Sequence, residues 1–209
     1  MAGGLALGGC GFVEKSPFFS TIATFNKRAD GKIDRAKVEA VPYASLLAWF
    51  DGSARALLVL GDYLPENRLV WYSAQRQSLT TWGGFVLTLS GVDVSLRSTT
   101  LIGQWDRDLH QLVGRPLART LDYEASSGRA TVVTKSQFSD RGIEETQVFD
   151  KRRRLRRIRE AVVADRWHHY ANDYWIDEAG FCWKSRQTVV PTMAPLNLVV
   201  TRPALQRQS

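Results

Sequence analysis

The 209-residue chain is poor in cysteine and has no long apolar segment. Its two cysteines are Cys10 and Cys182, so a network of disulfides does not hold the fold. A single Cys10–Cys182 bridge is the alternative to two separate thiols. No apolar run approaches the roughly 18 residues of a membrane-spanning helix. With 44% hydrophobic and 23% charged residues, the composition is that of a globular chain with a sizeable core.

The sequence also lacks the spacings that metal sites and hydrolases use. The histidines are His110 and the adjacent pair His168 and His169. Neighbours on a strand point to opposite faces, so that pair cannot serve one metal ion. No Cys-x-x-Cys, His-x-x-x-His or Gly-x-Ser-x-Gly pattern occurs. Asp106, Asp108 and His110 could form an acid–base group, but a polar loop or a helix start explains them. We therefore expect no catalytic residue, no metal ion and no cofactor.

The N-terminal segment carries the pattern Leu7-Gly8-Gly9-Cys10. Small residues before a cysteine suit the cleavage site of a lipoprotein signal peptidase, after which the cysteine carries acyl chains. We predict lipid attachment at Cys10, with residues 1–10 as a residual signal segment. The lack of positive charge before Cys10 indicates a start site placed too late, and Gly11 after it favours the outer membrane. A frayed terminus that happens to contain a cysteine is the alternative.

Residues 11–209 are predicted to form a single, mainly β domain. Four apolar residues at helical spacing predict a short amphipathic helix within residues 18–25. Downstream, alternating apolar and polar segments are separated by turn-forming residues, and the alternation of strands and helices typical of parallel sheets is missing. We predict ten or eleven strands in a large curved antiparallel sheet or a partly closed β-barrel. Residues 91–118 are predicted to be irregular, with a short helix around 106–113, and residues 140–142 to form a turn.

Positive charge is concentrated in residues 151–159, in a chain whose net charge is +7. A basic surface attracts anionic partners over a long range. Alternation places arginines on both faces of this strand, and unpaired arginines cannot be buried, so we expect its start to extend beyond the sheet. The predicted anionic-ligand patch, for phosphate, carboxylate or sulfate groups, consists of Arg152, Arg153, Arg154, Arg156, Arg157 and Arg159. The alternative is a solvated strand face without a ligand.

The C-terminal strands resemble a known family. Residues 174–177, Gly180 and residues 185–187 are similar to an aromatic-Trp-Val-Asp, Gly, Ser-Arg-Gln hairpin of the YjbF/GfcB family. Further segments with the family's order of motifs are residues 40–45, 56–61, 71–73 and 79–84. The likeness covers most of the chain, from about Pro42 to Pro203. The chain departs from the family at Phe85, where a basic residue is typical, and in its cluster of arginines.

The resemblance implies an exported lipoprotein of extracellular or capsular polysaccharide production. It implies a lipid anchor in the outer membrane, with the protein on the periplasmic face. Polysaccharide or polysaccharide-export proteins are the expected partners. Nucleic acid is not expected, because an exported protein does not meet it. We expect a non-catalytic binding or assembly component. Core packing is the default role of the seven tryptophans, and an exposed subset that stacks on sugar rings is the alternative.

Two alternatives from other functional classes remain open at this point. A lipid or lipoprotein carrier would need an apolar concave face lined by aliphatic side chains, and packed aromatics there would exclude it. A glycan-modifying enzyme would use Asp106, Asp108, Glu144 or Glu145, with two carboxylates facing each other across a groove.

Overall fold

The structure, a computed structural model, describes residues 34–102, 108–164, 168–191 and 193–204. Within these ranges, twelve antiparallel strands form a closed barrel in which each strand pairs with its neighbours in the chain and β1 pairs with β12. The strands are β1 Ser45–Phe50, β2 Ala56–Leu64, β3 Arg68–Ser73, β4 Ser78–Trp82, β5 Phe85–Ser90, β6 Val94–Ile102, β7 Pro116–Ala125, β8 Gly128–Val148, β9 Lys151–Ala164, β10 His168–Ile176, β11 Cys182–Gln187 and β12 Leu196–Arg202. The predicted mainly β architecture is confirmed, but the barrel has twelve strands instead of the predicted ten or eleven, and it closes completely.

The interior of the barrel is filled by the alternate residues of each strand that point inward. One half of the core is built around Trp71 and Leu96, and the other around Phe85, Ile158 and Tyr174. Each of these five side chains is buried. The barrel is therefore a packed core rather than an open channel along its whole length.

Short helices pack against the barrel at two places. Helix α1, Arg35–Ala40, begins at Asp34, whose side chain accepts a hydrogen bond from the Ala36 amide at 3.1 Å. Its Val38 packs with Leu47 and Leu57 on the outer wall. Helix α2, Leu109–Leu112, contributes buried leucines to the interior core, and a 3₁₀ turn spans Pro65–Asn67. No helix in the described ranges is long and apolar enough to cross a membrane.

The structure differs from the sequence predictions in two elements. Strand β6 lies inside residues 91–118, which were predicted to be irregular apart from a short helix. Residues 140–142 form a bulge within β8 and not a turn between two strands. There the Gly142 amide donates a hydrogen bond to Asp140 Oδ1 at 2.7 Å, so a turn-like local geometry is accommodated without ending the strand. The predicted helix within residues 18–25 lies outside the described residues.

Candidate functional site

The turns that connect even-numbered to odd-numbered strands all lie at one end of the barrel, because successive strands run in opposite directions. The longest of these hairpins is formed by β8 and β9. Beyond the bulge, residues 144–148 pair with residues 151–155, whereas the β7 register ends at Gln137 and the β10 register ends at Arg156. We call residues 143–155 the basic ribbon. The expectation that this end of the strand extends beyond the sheet is confirmed.

The basic ribbon folds back against the outer wall of the barrel. Its Val148 and Leu155 are buried in a cluster with Trp175 and Val199 of the wall. Trp175 also donates a hydrogen bond from Nε1 to Glu144 Oε1 at 2.6 Å. The face of the ribbon that contacts the barrel wall, its underside, is thus held by apolar packing and a hydrogen bond. These contacts also fix the position of the opposite, outer face.

Two arginines of the predicted patch point to the same side as this underside, Arg153 within the ribbon and Arg157 in β9 just beyond it. Arg157 donates two hydrogen bonds to Asp173, from Nε to Oδ1 and from Nη2 to Oδ2, each at 3.0 Å. These bonds raise the pKa of Arg157. The guanidinium carbon of Arg153 lies 3.7 Å from the ring centre of Trp183, in the geometry of a cation–π contact.

The other four arginines of the patch are more accessible. Arg152 and Arg154 are exposed on the outer face of the ribbon, and no carboxylate in the described part of the chain lies within ion-pair distance of either. Arg156 pairs with Asp140, whose pKa is lowered first by the Gly142 amide and then by this guanidinium. Arg159 lies with its Nε 3.8 Å from Asp173 Oδ1. The six arginines of the predicted patch therefore do not form one uniform surface. Arg152 and Arg154 are the two that are exposed and have no ion-pair partner in the described part of the chain.

A cavity of about 490 Å³ opens at the same end of the barrel. Its wall includes residues of the β2–β3, β4–β5 and β10–β11 turns and of α2. The aromatic residues that line it are Tyr63, Trp71, Trp82, Phe181 and Trp183. Polar lining residues include Asn67, Thr81, Asp108, Gln111, Lys184 and Ser185, and the larger aliphatic lining residues are Leu46, Leu69, Leu198 and Val200. Trp183 lies between the two regions, since it lines the cavity and contacts Arg153 of the ribbon.

A buried polar network extends from the cavity into the core. Gln187 donates hydrogen bonds from Nε2 to Ser185 Oγ and to the Gly84 carbonyl, both at 2.8 Å. Further inside, Tyr174 donates to Glu160 Oε2 at 2.8 Å, and Glu160 forms a buried ion pair with Arg119. Burial raises the pKa of Tyr174 well above its ordinary value.

The cavity wall includes one very close approach of backbone to side chain. Gly84 has a φ of +97°, and a Cβ on it would lie 2.8 Å from Cys182 Sγ. The Cys182 thiol packs there and donates a hydrogen bond to the Lys184 carbonyl at 3.3 Å. Burial raises the pKa of Cys182 to about 12, so the thiol stays protonated and unreactive at neutral pH.

The carboxylates considered for catalysis have structural contacts. Asp108 caps α2 by accepting a hydrogen bond from the His110 amide at 2.9 Å, and Glu144 accepts the Trp175 bond. Glu145 is exposed opposite Arg154 on the ribbon. Asp106 and the predicted lipid-attachment residue Cys10 lie outside the described residues.

The histidines do not form a metal site in the described ranges. His110 lies in α2, whereas His168 and His169 are exposed at the start of β10. Across the described residues no group of three or more His, Cys, Asp or Glu side chains could hold a metal ion.

Sequence reasoning identified the basic segment but not the cavity. The cavity residues come from turns that are far apart in the sequence and meet only when the barrel closes. The local signal for them is an aromatic residue beside glycine in two turns, Trp82-Gly83-Gly84 and Gly180-Phe181. Such a signal marks two hairpins, but it does not show that they face each other.

Comparison with known proteins agrees with this architecture. A family described as group 4 capsule polysaccharide lipoprotein gfcB, YjbF, matches residues 20–200. The uncharacterized lipoprotein GfcB of Escherichia coli (strain K12) is 23% identical over 205 residues, which are 96% of this chain and 95% of that protein. The crystal structure of the hypothetical lipoprotein YmcC from Escherichia coli (K12) has a TM-score of 0.77 at 22% identity, covering 90% of this chain and 96% of the other. That likeness shows a shared fold, and the extent of the family match shows that the chain belongs to the YjbF family of group 4 capsule polysaccharide lipoproteins.

Proposed function

We propose that this protein is exported, acylated on Cys10 and held at the periplasmic face of the outer membrane. There it acts without catalysis in the production or export of a capsular polysaccharide. The basic ribbon holds an anionic segment of the polymer, or of a polymer-export protein, through Arg152 and Arg154. Of the six arginines predicted to bind an anionic ligand, the proposal keeps the two that are exposed and unpaired.

The observation that carries this proposal is the division of the ribbon into two faces. The underside is occupied by Asp173, Trp175 and Trp183, which contact its arginines or the ribbon itself. The outer face carries Arg152 and Arg154, with Glu145 opposite Arg154, on a backbone that the underside keeps in place. A hairpin whose backbone is already held loses less conformational entropy on binding than a mobile one does.

Two features favour this function over the alternatives. The barrel interior contains packed aromatics and the buried Arg119–Glu160 pair, which do not suit an acyl chain. Asp108 and Glu144 are engaged by a helix cap and an indole, so they do not face each other freely across a groove. As an expected outcome, the purified protein leaves the size distribution of the capsular polymer unchanged on incubation.

The ribbon is tested with an acidic polysaccharide of known composition, polygalacturonate, in affinity electrophoresis. We expect Arg152→Gln/Arg154→Gln to weaken binding about tenfold at low salt, and added salt to weaken binding of the unmodified protein. The matched control is Arg97→Gln/Arg129→Gln, which removes the same charge from the exposed pairs with Glu124. Equal weakening by both double variants would show that only net charge matters and would refute the assignment.

The anchor is tested separately by mass spectrometry of the protein extracted from membranes. The expected result is a processed chain whose first residue is Cys10 and carries acyl groups, whereas Cys10→Ser yields none. An intact N-terminal segment with an unmodified Cys10 would contradict the anchoring proposal.

A further inference from the structure

The cavity at the ribbon end of the barrel is not used by the function proposed above. Its volume of about 490 Å³ lies within the usual range of small-molecule sites, roughly 300–1,000 Å³. It holds both aromatic side chains and groups that donate and accept hydrogen bonds. A site of this composition selects a ligand that has an apolar face and a polar rim.

The charges at the cavity narrow the class of ligand. Among the described lining residues, Lys184 is the cation, but its Nζ is engaged with Thr146 Oγ1 at 3.2 Å and lies 4.5 Å from the Trp175 ring centre on the outer wall. Burial also lowers the pKa of Lys184. Asp108 is the carboxylate of the lining, and it caps α2. A phosphate or uronate would therefore find no available positive group in the described wall.

An acyl chain fits the lining no better. Asn67 and Gln111 would each lose contact with water against a hydrocarbon, and burying a polar group without a partner costs about 1–3 kcal/mol. A neutral pyranose ring has the complementary composition. Its axial C–H groups form an apolar face that stacks on an aromatic ring, and its hydroxyl groups match amide and hydroxyl side chains.

The wall of the cavity is also held in place before any ligand binds. Asp177 accepts hydrogen bonds from the Phe181 amide at 2.9 Å and from Trp183 Nε1 at 2.8 Å, which fixes the turn that presents both aromatics. Trp71 donates from Nε1 to Thr81 Oγ1 at 2.8 Å. Aromatic groups that are already ordered lose little conformational entropy when a ligand binds. This matters for a sugar, because the gross binding energy of one ring is small.

We propose that this cavity binds one neutral pyranose unit of a glycan, with Trp82 and Phe181 providing the apolar contact and Asn67 and Gln111 the hydrogen bonds. The inference rests on the proposed function, since it names the part of the polymer that the barrel itself contacts. Trp183 adjoins both the cavity and the ribbon. A neutral sugar in the cavity would thus place a neighbouring acidic group of the same polymer near the ribbon.

The experiment uses the full chain carrying Cys10→Ser and titrates it with methyl glycosides of galactose, glucose, mannose and N-acetylglucosamine. The readout is the shift of the indole N–H signals in a nitrogen–proton correlation spectrum. We expect saturable binding of at least one glycoside with a Kd of about 1–10 mM, and shifts confined to indoles of the cavity. Absence of saturable shifts with all four glycosides up to about 100 mM would overturn the proposal.

Variants then assign the site. Gln111 is exposed, so Gln111→Ala should fold normally and weaken binding about tenfold, whereas Gln137→Ala on the exposed face of β8 should leave binding unchanged. Trp82→Leu should abolish binding, and its thermal unfolding shows whether the barrel is intact. Equal binding by Gln111→Ala and Gln137→Ala would refute the assignment of the site even if Trp82→Leu fails to fold.

Two further arms distinguish failure of this inference from failure of the proposed function. Octyl glucoside that binds when methyl glucoside does not would identify an acyl site and overturn the proposal. Arg152→Gln/Arg154→Gln should bind methyl glycosides as the unmodified protein does. If the unmodified protein binds polygalacturonate but no methyl glycoside, the sugar site is refuted and the ribbon assignment is not. If it binds a methyl glycoside but not polygalacturonate, the ribbon assignment is refuted and the sugar site is not.

Discussion

At the scale of single residues, the barrel contains a charge pair that a purely apolar core would not need. Arg119 and Glu160 are buried inside it, and Glu160 also accepts a hydrogen bond from Asn172 Nδ2 at 2.8 Å. An ion pair of this kind recovers its desolvation cost only when both partners are present and their remaining hydrogen-bonding groups are satisfied. Arg119 Nε has no hydrogen-bond partner among the described residues, so the pair recovers its desolvation cost only in part.

Removing one member of that pair should be costly. We expect Arg119→Met to lower the free energy of unfolding by about 3–5 kcal/mol, because Glu160 would be left charged and buried without its partner. The control is Arg97→Met, which breaks the exposed pair with Glu124 and should leave stability nearly unchanged. Urea unfolding followed by tryptophan fluorescence measures both. Similar losses in the two variants would show that burial of the pair is unimportant.

The sequence of the basic segment predicts a high positive charge, but it does not predict which arginines are paired and which face solvent. Arg153, Arg154 and Arg157 are indistinguishable in composition, yet one contacts an indole, one faces solvent and one is paired. The partner of Arg157 is Asp173, which is 16 residues away on the next strand. Only the register of β9 against β10 brings the two together, and that register is set by the whole barrel.

At the scale of elements, the ribbon is a two-stranded hairpin whose stability depends on its docking. An isolated hairpin is only marginally stable in water, so residues 143–155 rely on the wall beneath them. That contact includes the apolar cluster around Trp175, the Trp175–Glu144 hydrogen bond and, just beyond the ribbon, the two hydrogen bonds between Arg157 and Asp173. The ribbon should behave as a unit that opens before the barrel does.

Undocking of the ribbon can be provoked at Arg157. Arg157→Ala leaves the mostly buried Asp173 with weaker pairing, and we expect a loss of about 1–3 kcal/mol together with faster amide hydrogen exchange in residues 143–155. Arg154→Ala on the exposed face of the same strand is the matched control and should change neither quantity. If exchange in the ribbon stays slow in Arg157→Ala, the paired arginine does not hold the ribbon down.

Most individual strands could be predicted from their alternation, and the failures have physical causes. The run of apolar and aromatic residues at 69–73 predicts a strand, and β3 spans Arg68–Ser73. Strand β6 was missed because it is rich in serine and threonine and only Leu96 among its side chains is buried. The only residue pair between β5 and β6 in the described ranges is Leu89 with Leu96. The leucines of α2 pack in the core cluster that contains Leu87 of β5 and against which Leu101 of β6 packs. The β5–β6 contact therefore depends on residues that are far away in the sequence, and the pattern within β6 does not predict it.

At the scale of the whole molecule, several buried acids link folding to alkaline pH. Burial raises the pKa of Tyr170 to about 12 and raises that of Tyr174 well above its ordinary value. In the unfolded chain a tyrosine loses its proton near pH 10. Between these two values the unfolded state binds fewer protons than the folded state, so the stability that is intact below pH 10 falls as pH rises.

The expected slope is about 1.4 kcal/mol per pH unit for each tyrosine between pH 10 and 12. Tyr170→Phe should make the pH profile less steep in this window. Denaturant unfolding at intervals from pH 8 to 11.5 measures the profile. A profile that is identical in Tyr170→Phe and the unmodified protein would contradict the assignment.

Closure of the barrel between β1 and β12 has a consequence for folding. Ser45–Phe50 and Leu196–Arg202 lie near opposite ends of the described chain, and until they pair the first strand has an open backbone edge on one side. Pairing over so great a sequence separation is slow, and an edge exposed for that time attracts the open edges of other copies. A truncation that deletes the final strand would leave this vulnerability permanent, so the shortened polypeptide should accumulate as aggregate or be degraded.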